Sequence, residues 1–520
     1  MVVRKISYYR VIVSLCLFMF LLSPVFGDEI SAVSFDKELP ENNIVTIQPD
    51  SLRILHNPLT GWVLYASMGV DAADFWAQYD HMYIPELGHN VSVTDYAHTL
   101  YIRASWTDFN PQEDVYGWKI DSNLRAYIEG AYQRNMRLAF RVVVDSRDKR
   151  TEFTPQFVKD AGAKGFMNKG KWSPYSDDPV FQKYYTKFVK ALAKDFNDPS
   201  KVEFIDGFGL GKWGEYHTMI YSTGDDTSKK AVFDWVTDIY SQAFDKVPVV
   251  INYHRWIGAG KDWVDDEHFA ADSEEMLEEA IKKGYSLRHD AFGMTTYYGS
   301  WERRFAKKYR NICPIIMEGG WIVKSHSYWQ DPRGYRKDSH EDVRRGEFDD
   351  SKEAHVNMMD FRFGDTESWF KDAFDLVRRF LREGGYRLYP SEISLPLEVS
   401  KKTTPTIKHC WNNLGWGYCP TNIPQWNQKY KVAFALLDSE TNEVRYTFVD
   451  TDTDLSKWIK GSPAEYVFEP DMSKVETGTY VWAVGLVDRS NKDLVGLDIA
   501  AKGDILDSGW LKLSKVSIKK

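Results

Sequence analysis

The strongest constraint on this chain is an alternation running from about residue 57 to 380, in which short β-rich runs are separated by longer segments of helical period. The runs are GWVLYA (61–66), TLYIRASW (99–106), MRLAFRVVV (136–144), EFIDGFGLG (203–211), VPVVINYH (247–254), DAFGMTTYY (290–298), CPIIMEGG (313–320) and HVNMMDF (355–361). Short apolar and β-branched runs of this kind read as strands. Between them SNLRAYIEGAYQRN, DPVFQKYYTKFVKALAKDF and KKAVFDWVTDIYSQAFD repeat apolar residues at three and four, the mark of a helix with one buried face. ESWFKDAFDLVRRFLREGG supplies the helix after the last run. Repeated βα units make a parallel sheet, and eight of them predict an α/β fold, the (β/α)8 TIM barrel. A doubly wound open sheet shares the alternation but places its ligand at a glycine-rich turn after the first strand.

Past residue 385 the pattern changes. KYKVAFALLD, EVRYTFVD, AEYVFEP, GTYVWAVGLVD and GWLKLSKVSI alternate like strands and are separated by Pro, Gly, Asn and Asp turns. Residues 385–520 therefore predict a C-terminal antiparallel β-sandwich domain, leaving 28–384 for the barrel. The N-terminus carries Arg4, Lys5 and Arg10, then an apolar stretch from Val11 to Leu22, then small residues up to Gly27. That order is a secretory signal, with cleavage expected after Gly27. The apolar stretch is shorter than the roughly 20 residues that cross a bilayer, so the expected location is secreted or periplasmic, with no membrane span after cleavage.

A net charge of −9 gives no electrostatic reason to expect nucleic acid. The aromatic share is more informative: 19 Trp, 30 Tyr and 29 Phe make up 15% of the chain. Flat rings beside strand ends are suited to stacking on sugar rings, while the rest are expected in the core. Cys410 and Cys419 bracket CWNNLGWGYC, a spacing that allows a disulfide in an oxidising compartment. Cys313, in ICPIIM, reads as a buried small hydrophobe.

Chemistry in a parallel barrel gathers at the carboxyl ends of the strands. Glu215 follows the fourth run in FIDGFGLGKWGEYH, framed by Trp213, Gly214, Tyr216 and His217. A carboxyl among aromatic rings is partly desolvated, which raises its pKa and suits a general acid. Gly209, Gly211 and Gly214 match G-x-G-x-x-G formally, but no second strand with an acidic residue follows, so the glycines read as a tight turn rather than a dinucleotide site. Glu318 closes the seventh run in ICPIIMEGGW, and an acid directly after an apolar strand is either functional or part of an ion pair across the mouth, with Arg103 the candidate partner. Arg141 and Asp145 on the third run are placed to bind hydroxyls or each other. Asn252, Tyr253 and His254 end the fifth run, Tyr297 and Tyr298 the sixth. Trp213, Trp301 and Trp321 are candidate stacking platforms, and His217 a candidate hydrogen-bond donor to substrate. No H-E-x-x-H or paired-cysteine spacing points to a metal, and no cofactor is expected.

Carboxylates after strands four and seven resemble the clan A glycoside hydrolases. NPLTGW, GKWGEYH and TIKHCWNNLGWGYCP also resemble a group of poorly characterised bacterial barrel proteins with an appended β domain. The resemblance implies a retaining reaction on a poly- or oligosaccharide, with Glu215 as acid/base and Glu318 as nucleophile, their carboxyl groups about 5 to 5.5 Å apart; a gap of about 6.5 to 9.5 Å implies inversion. It also implies that Arg103 holds Glu318 ionised and that Tyr297 or Tyr298 donates to it. Gly214 departs from the pattern, since these enzymes usually carry Asn before the acid/base. The competing reading is a non-catalytic glycan-binding protein with the sandwich as its binding module; a transglycosylase would share every residue named.

Overall fold

A computed structural model describes residues 42–146, 151–260, 267–294, 297–320 and 340–520. The signal-like segment and Trp321 lie outside the described residues.

Eight parallel strands close a barrel in chain order: β1 (Gly61–Tyr65), β2 (Ala97–Ser105), β3 (Arg137–Val143), β4 (Val202–Asp206), β5 (Val249–Asn252), β6 (Tyr285–Phe292), β7 (Ile315–Gly319) and β8 (Met358–Asp360). β8 returns to β1 with Met358 opposite Gly61, which completes the ring. Each predicted strand has its counterpart, but β6 lies earlier than expected. Its sequence, YSLRHDAF, turns Ser286, Arg288 and Asp290 inward and Leu287 outward, so polar residues occupy the face where apolar ones mark a strand. The connection between β5 and β6 contains a helix at Glu267–Lys282.

The outer helices form where the periodicity places them. Helix Pro179–Phe196 starts at Asp178, whose side chain accepts from Phe181 N, and has Pro179 in its first turn, where a missing N–H costs nothing. Phe181, Tyr185, Phe188, Val189, Leu192 and Phe196 then face the barrel. The final helical stretch breaks at Ala373 into Thr366–Asp372 and Phe374–Glu383.

The C-terminal region is a sandwich of two sheets. One contains β9 (Leu388–Pro396), β11 (Ile407–Asn413) and β14 (Ala464–Phe468). The other contains β10 (Glu398–Ser400), β12 (Tyr430–Asp438), β13 (Val444–Asp450), β15 (Gly478–Asp488), β16 (Leu494–Leu497) and β17 (Leu511–Lys519). The first sheet also takes Asn42–Thr46, antiparallel to β9 with Asn42 opposite Pro396, so the residue 28 boundary gives the barrel a strand that the sandwich owns.

Cys410 and Cys419 are both free, correcting the disulfide expectation. Cys410 lies on β11 between His409 and Trp411, which face the sandwich core. Strand alternation therefore turns its thiol to the opposite face, while Cys419 is buried in that core. Cys313 is buried against the barrel core, as its apolar surroundings suggested.

The sandwich seals the amino end of the barrel. Trp416 Nε1 donates to Val356 O (2.9 Å), and Asn357 Nδ2 donates to Leu59 O (3.1 Å) and Tyr418 O (2.9 Å). Gly417 N donates to Gly385 O (2.7 Å), and a Cβ at Gly385 would stand 1.7 Å from Thr60 Oγ1, so only glycine allows this approach. Val63, Tyr101, Ala139, Phe204, Val250, Ile316 and Met358 inside the barrel join Trp411, Phe434 and Trp482 of the sandwich in one apolar core. The carboxyl end is left as the open mouth.

Candidate active site

Each inward residue of that apolar layer is followed, two positions along its strand, by a polar one. The upper layer is Tyr65, Arg103, Arg141, Asp206, Asn252, Glu318 and Asp360, with Arg288 and Asp290 both from β6. Strand alternation puts all of them on the same inner face, at the end where parallel barrels hold their sites.

Two buried guanidiniums organise this layer. Arg141 Nε donates to Asp206 Oδ2 (2.6 Å), its Nη1 to Asp290 Oδ2 (2.5 Å), and Nη1 lies 3.5 Å from Glu215 Oε1. Arg288 Nε donates to Asp290 Oδ1 (2.9 Å), and its Nη2 donates to Glu318 Oε2 (2.5 Å) and Asp360 Oδ2 (3.0 Å). The same guanidinium lies over the Tyr101 ring, 4.4 Å from its centroid, and Tyr101 OH donates to Asp206 Oδ2 (2.9 Å). Glu215 and Glu318 are thus joined by one chain of ion pairs running through Arg141, Asp290 and Arg288. Arg362, after β8, adds a second cation with Nε 3.9 Å from Glu318 Oε1. Arg103 does not pair with Glu318: its Nη2 donates to Trp213 O (2.8 Å) and its Nη1 to Tyr65 OH (3.4 Å).

Four buried carboxyls, Asp206, Asp290, Glu318 and Asp360, share the two guanidiniums, so they cannot all ionise cheaply. Burial alone would raise Asp290, but Arg141 and Arg288 together hold it well below the usual carboxylate range. Burial, reinforced by Asp290, pushes Glu318 up to about 8 against the pull of Arg288. Burial likewise pushes Asp360 up to about 6 and raises Asp206, with the arginines opposing both. The sequence attached no raised pKa to Glu318, where it follows from burial beside Asp290.

β4 ends at Asp206, well before Glu215, so Glu215 is a loop residue rather than a strand-end one. The loop folds back through Tyr216 N to Leu210 O (2.9 Å) and Lys212 N to His217 O (3.0 Å). Gly209, Gly211 and Gly214 take φ of 77°, 75° and 80°, and a Cβ at Gly209 would meet Val142 O at 2.2 Å, so the tight-turn reading of these glycines holds. Trp213, Tyr216 and Thr218 also have positive φ, at 59°, 58° and 51°. Such strain costs of order 1–3 kcal/mol per residue and gathers at functional sites. Gly214 stands before Glu215 because the turn needs that backbone.

Two histidines hold Glu215. His254 Nδ1 accepts from Trp256 N (3.1 Å), which leaves Nε2–H to donate to Glu215 O (2.7 Å). His217 Nε2 lies 3.4 Å from Glu215 Oε2, and Trp213, half-buried, meets the His217 ring edge-on at 5.6 Å.

Several expected residues are already paired or face away from the mouth. Arg141 is fully buried and occupied by carboxylates, and Asp145 accepts from Ser173 Oγ (3.2 Å) in a side cleft lined by Phe166, Ser176 and Met219. Neither binds the other. Tyr298 OH accepts from Tyr253 OH (3.4 Å) between barrel and helices, rather than donating to Glu318. Trp301 stacks on Phe305 at 5.1 Å in that same layer. Tyr297 packs on Trp256, with its ring 6.0 Å from that of His217. The sequence reading missed Asp206, Arg288, Asp290 and Asp360. It also missed Arg362 and Phe363 at the rim, where Phe363 is 53% exposed and meets Tyr65 edge-on. Among the described residues no group of three or more His, Cys, Asp or Glu is arranged to hold a metal, and no helix is long and apolar enough to cross a membrane.

No family model and no curated protein sequence matches the chain. Solved structures resemble it distantly. The endo-beta-1,4-mannanase from Thermotoga petrophila shares 13% identity over 89% of this chain and 99% of its own, with a TM-score of 0.39. Endo-glycoceramidase II from Rhodococcus sp. shares 12% over 82% and 99%, TM-score 0.37. An endoxylanase from Clostridium papyrosolvens C71 shares 9% over 82% and 97%, TM-score 0.36. At these values the likenesses add nothing to the barrel topology itself.

Proposed function

We propose that this chain is an exported glycoside hydrolase acting on a poly- or oligosaccharide, with Glu215 and Glu318 as its reacting pair. The observation that carries the reading is the carboxyl excess at the barrel mouth. Two glutamates sit on one buried ion-pair chain, and the crowding of acids keeps a proton there at neutral pH. Glycosidic cleavage needs one carboxyl to protonate the leaving oxygen and one carboxylate to attack or to activate water. A purely structural network gains little from a surplus of buried acids.

In the retaining form, Glu318 attacks the anomeric carbon as carboxylate and Glu215 protonates the leaving oxygen, then activates the water that releases the sugar. Arg288 steadies the attacking charge, and His254 and the strained turn aim Glu215. Since burial pushes Glu318 up to about 8, attack requires that it first lose its proton. kcat/KM then rises with pH through about 8. The same raised value favours the reverse assignment, Glu318 as acid and Glu215 as carboxylate, in which activity falls through that pH. Aryl glycosides and natural polysaccharides, tested with Glu215→Gln and Glu318→Gln, decide the pair, and the sign of the pH limb decides the roles. Unchanged turnover in Glu318→Gln refutes the assignment.

A further inference from the structure

Asn252 ends β5, and the alternation of that strand fixes its direction: Val249 and Ile251 pack outward, whereas Val250 lies in the barrel's inner core. Asn252 therefore points inward, in register with Arg288 on β6. It is only 2% exposed, and among the described residues neither its Oδ1 nor its Nδ2 has a hydrogen-bond partner. Two other buried asparagines use both ends of their amides. Asn57 Nδ2 donates to Asp498 O (2.9 Å) and its Oδ1 accepts from Asp498 N (2.7 Å). Asn413 donates to Gly417 O (2.8 Å) and Trp458 O (3.0 Å) and accepts from Arg387 N and Gly415 N (both 2.9 Å). An amide left unpaired at both ends carries a desolvation cost that no described residue offsets.

The unpaired atoms continue onto both neighbouring strands. Asp206 Oδ1 on β4 and Arg288 Nη1 on β6 are also buried without a hydrogen-bond partner. In the polar layer at the mouth, three consecutive strands thus offer two acceptors, Asn252 Oδ1 and Asp206 Oδ1, and two donors, Asn252 Nδ2 and Arg288 Nη1. A hydroxyl donates and accepts at one oxygen, so a pair of hydroxyls uses all four. A carboxylate or sulfate only accepts, and would set its oxygens against the two acceptors.

We propose that Asn252, flanked by Asp206 and Arg288, is the hydroxyl-binding residue of the mouth and reads two hydroxyls of an uncharged sugar ring. The proposal rests on reading the mouth as a sugar site.

The test is calorimetric titration of the Glu318→Gln chain with cellobiose, xylobiose, mannobiose and digalacturonate, with and without Asn252→Leu. A neutral disaccharide should bind, and Asn252→Leu should weaken it about tenfold or more, the loss of two hydrogen bonds. The same substitution should leave the thermal midpoint unchanged or higher, because it removes two unpaired polar groups; a merely structural Asn252 would lower it. If Asn252→Leu does not fold, Asn252→Asp keeps the shape, replaces the donor by an acceptor, and should weaken binding equally. Equal affinity in the folded variants, tighter binding of digalacturonate, or no binding by any of the four sugars overturns the proposal. Wild-type turnover of aryl glycosides is measured separately. Binding that depends on Asn252 without turnover keeps this inference and rejects the hydrolase; turnover with binding independent of Asn252 does the reverse.

Discussion

Replacing Glu318 with Gln tests the electrostatics of the mouth without any substrate. Burial moves this carboxyl from its ordinary 4.5 to about 8, so the folded chain holds a proton that the unfolded chain releases at much lower pH. A raised folded value contributes stability that is complete below the unfolded pKa and is lost as pH climbs through the folded one. For Glu318 the window runs from 4.5 to about 8. Each pH step inside it is worth ~1.4 kcal/mol, which bounds the effect at about 5 kcal/mol. Asp360 shares Arg288 and holds its own proton up to about 6, so the expected loss is about 2 to 5 kcal/mol. Glutamine keeps the neutral shape and has no proton to lose. Urea unfolding at several pH values from 5 to 9 should find the two proteins alike at the acid end. Glu318→Gln should be the more stable by that margin at the alkaline end, although it removes a partner of Arg288, because Asp290 and Asp360 still hold that guanidinium. Parallel stability curves, or a variant that loses ground as pH rises, would refute the carboxyl excess and with it the argument for the site.

Trp416→Ala should cost about 3 to 5 kcal/mol, read as a lowered unfolding midpoint, since Trp416 packs on Phe348 and Phe380 and bonds Val356 O beneath the barrel. Cys410 and Cys419 should both titrate as thiols in the denatured protein, and a reductant should leave the thermal midpoint unchanged; a linked pair in peptide mapping contradicts their placement on opposite faces. The exported protein should begin at Asp28, checked by amino-terminal sequencing, and an intact Met1 terminus in the exported fraction counts against the signal reading. A chain ending at residue 384 should not fold as a soluble barrel, because it loses β9, the partner of Asn42–Thr46, and Trp416 from the barrel floor; a cooperative unfolding transition in that fragment disproves the shared core.

The barrel was legible because the outward faces of its strands are apolar and pack on helices whose own apolar stripes recur at three and four. Leu64, Ile102, Val142, Ile251 and Met317 all belong to that layer. β6 was misplaced where this signal fails: Ser286, Arg288 and Asp290 fill its inner face, so the run was placed at 290–298 and the polar first half of the strand, from Tyr285, was passed over. The glutamates were legible as single residues, one after an apolar strand and one in a glycine-rich turn. Their partners were not, because the pairing of Arg141 with Asp206 and Asp290, and of Arg288 with Glu318 and Asp360, joins strands far apart in sequence. Tyr298 and Trp301 failed as site residues for a related reason: an aromatic near a strand end serves the helix layer as readily as the mouth.

The two ends of the barrel differ in how their buried carboxyls are matched by cations, and that difference marks the mouth better than any single residue. At the sealed end, Arg137 meets Glu203, and Glu203 also accepts from Leu59 N. Asn357 bonds two carbonyls there, and Asn57 and Asn413 use both ends of their amides. Unpaired atoms occur there too: both ring nitrogens of His98, Asn357 Oδ1, Arg137 Nη2 and Tyr418 OH are buried without a hydrogen-bond partner, and burial pushes His98 down to about 3, so it stays uncharged. At the mouth Asp206, Asp290, Glu318 and Asp360 share Arg141 and Arg288, the Asn252 amide is unpaired at both ends, and the turn that carries Glu215 has three non-glycine residues at positive φ. These features lower stability and persist together in one place, which is the pattern of groups held ready for a ligand. The sandwich lies at the opposite end, its core merged with the barrel floor, and so supports the fold from below rather than extending the mouth.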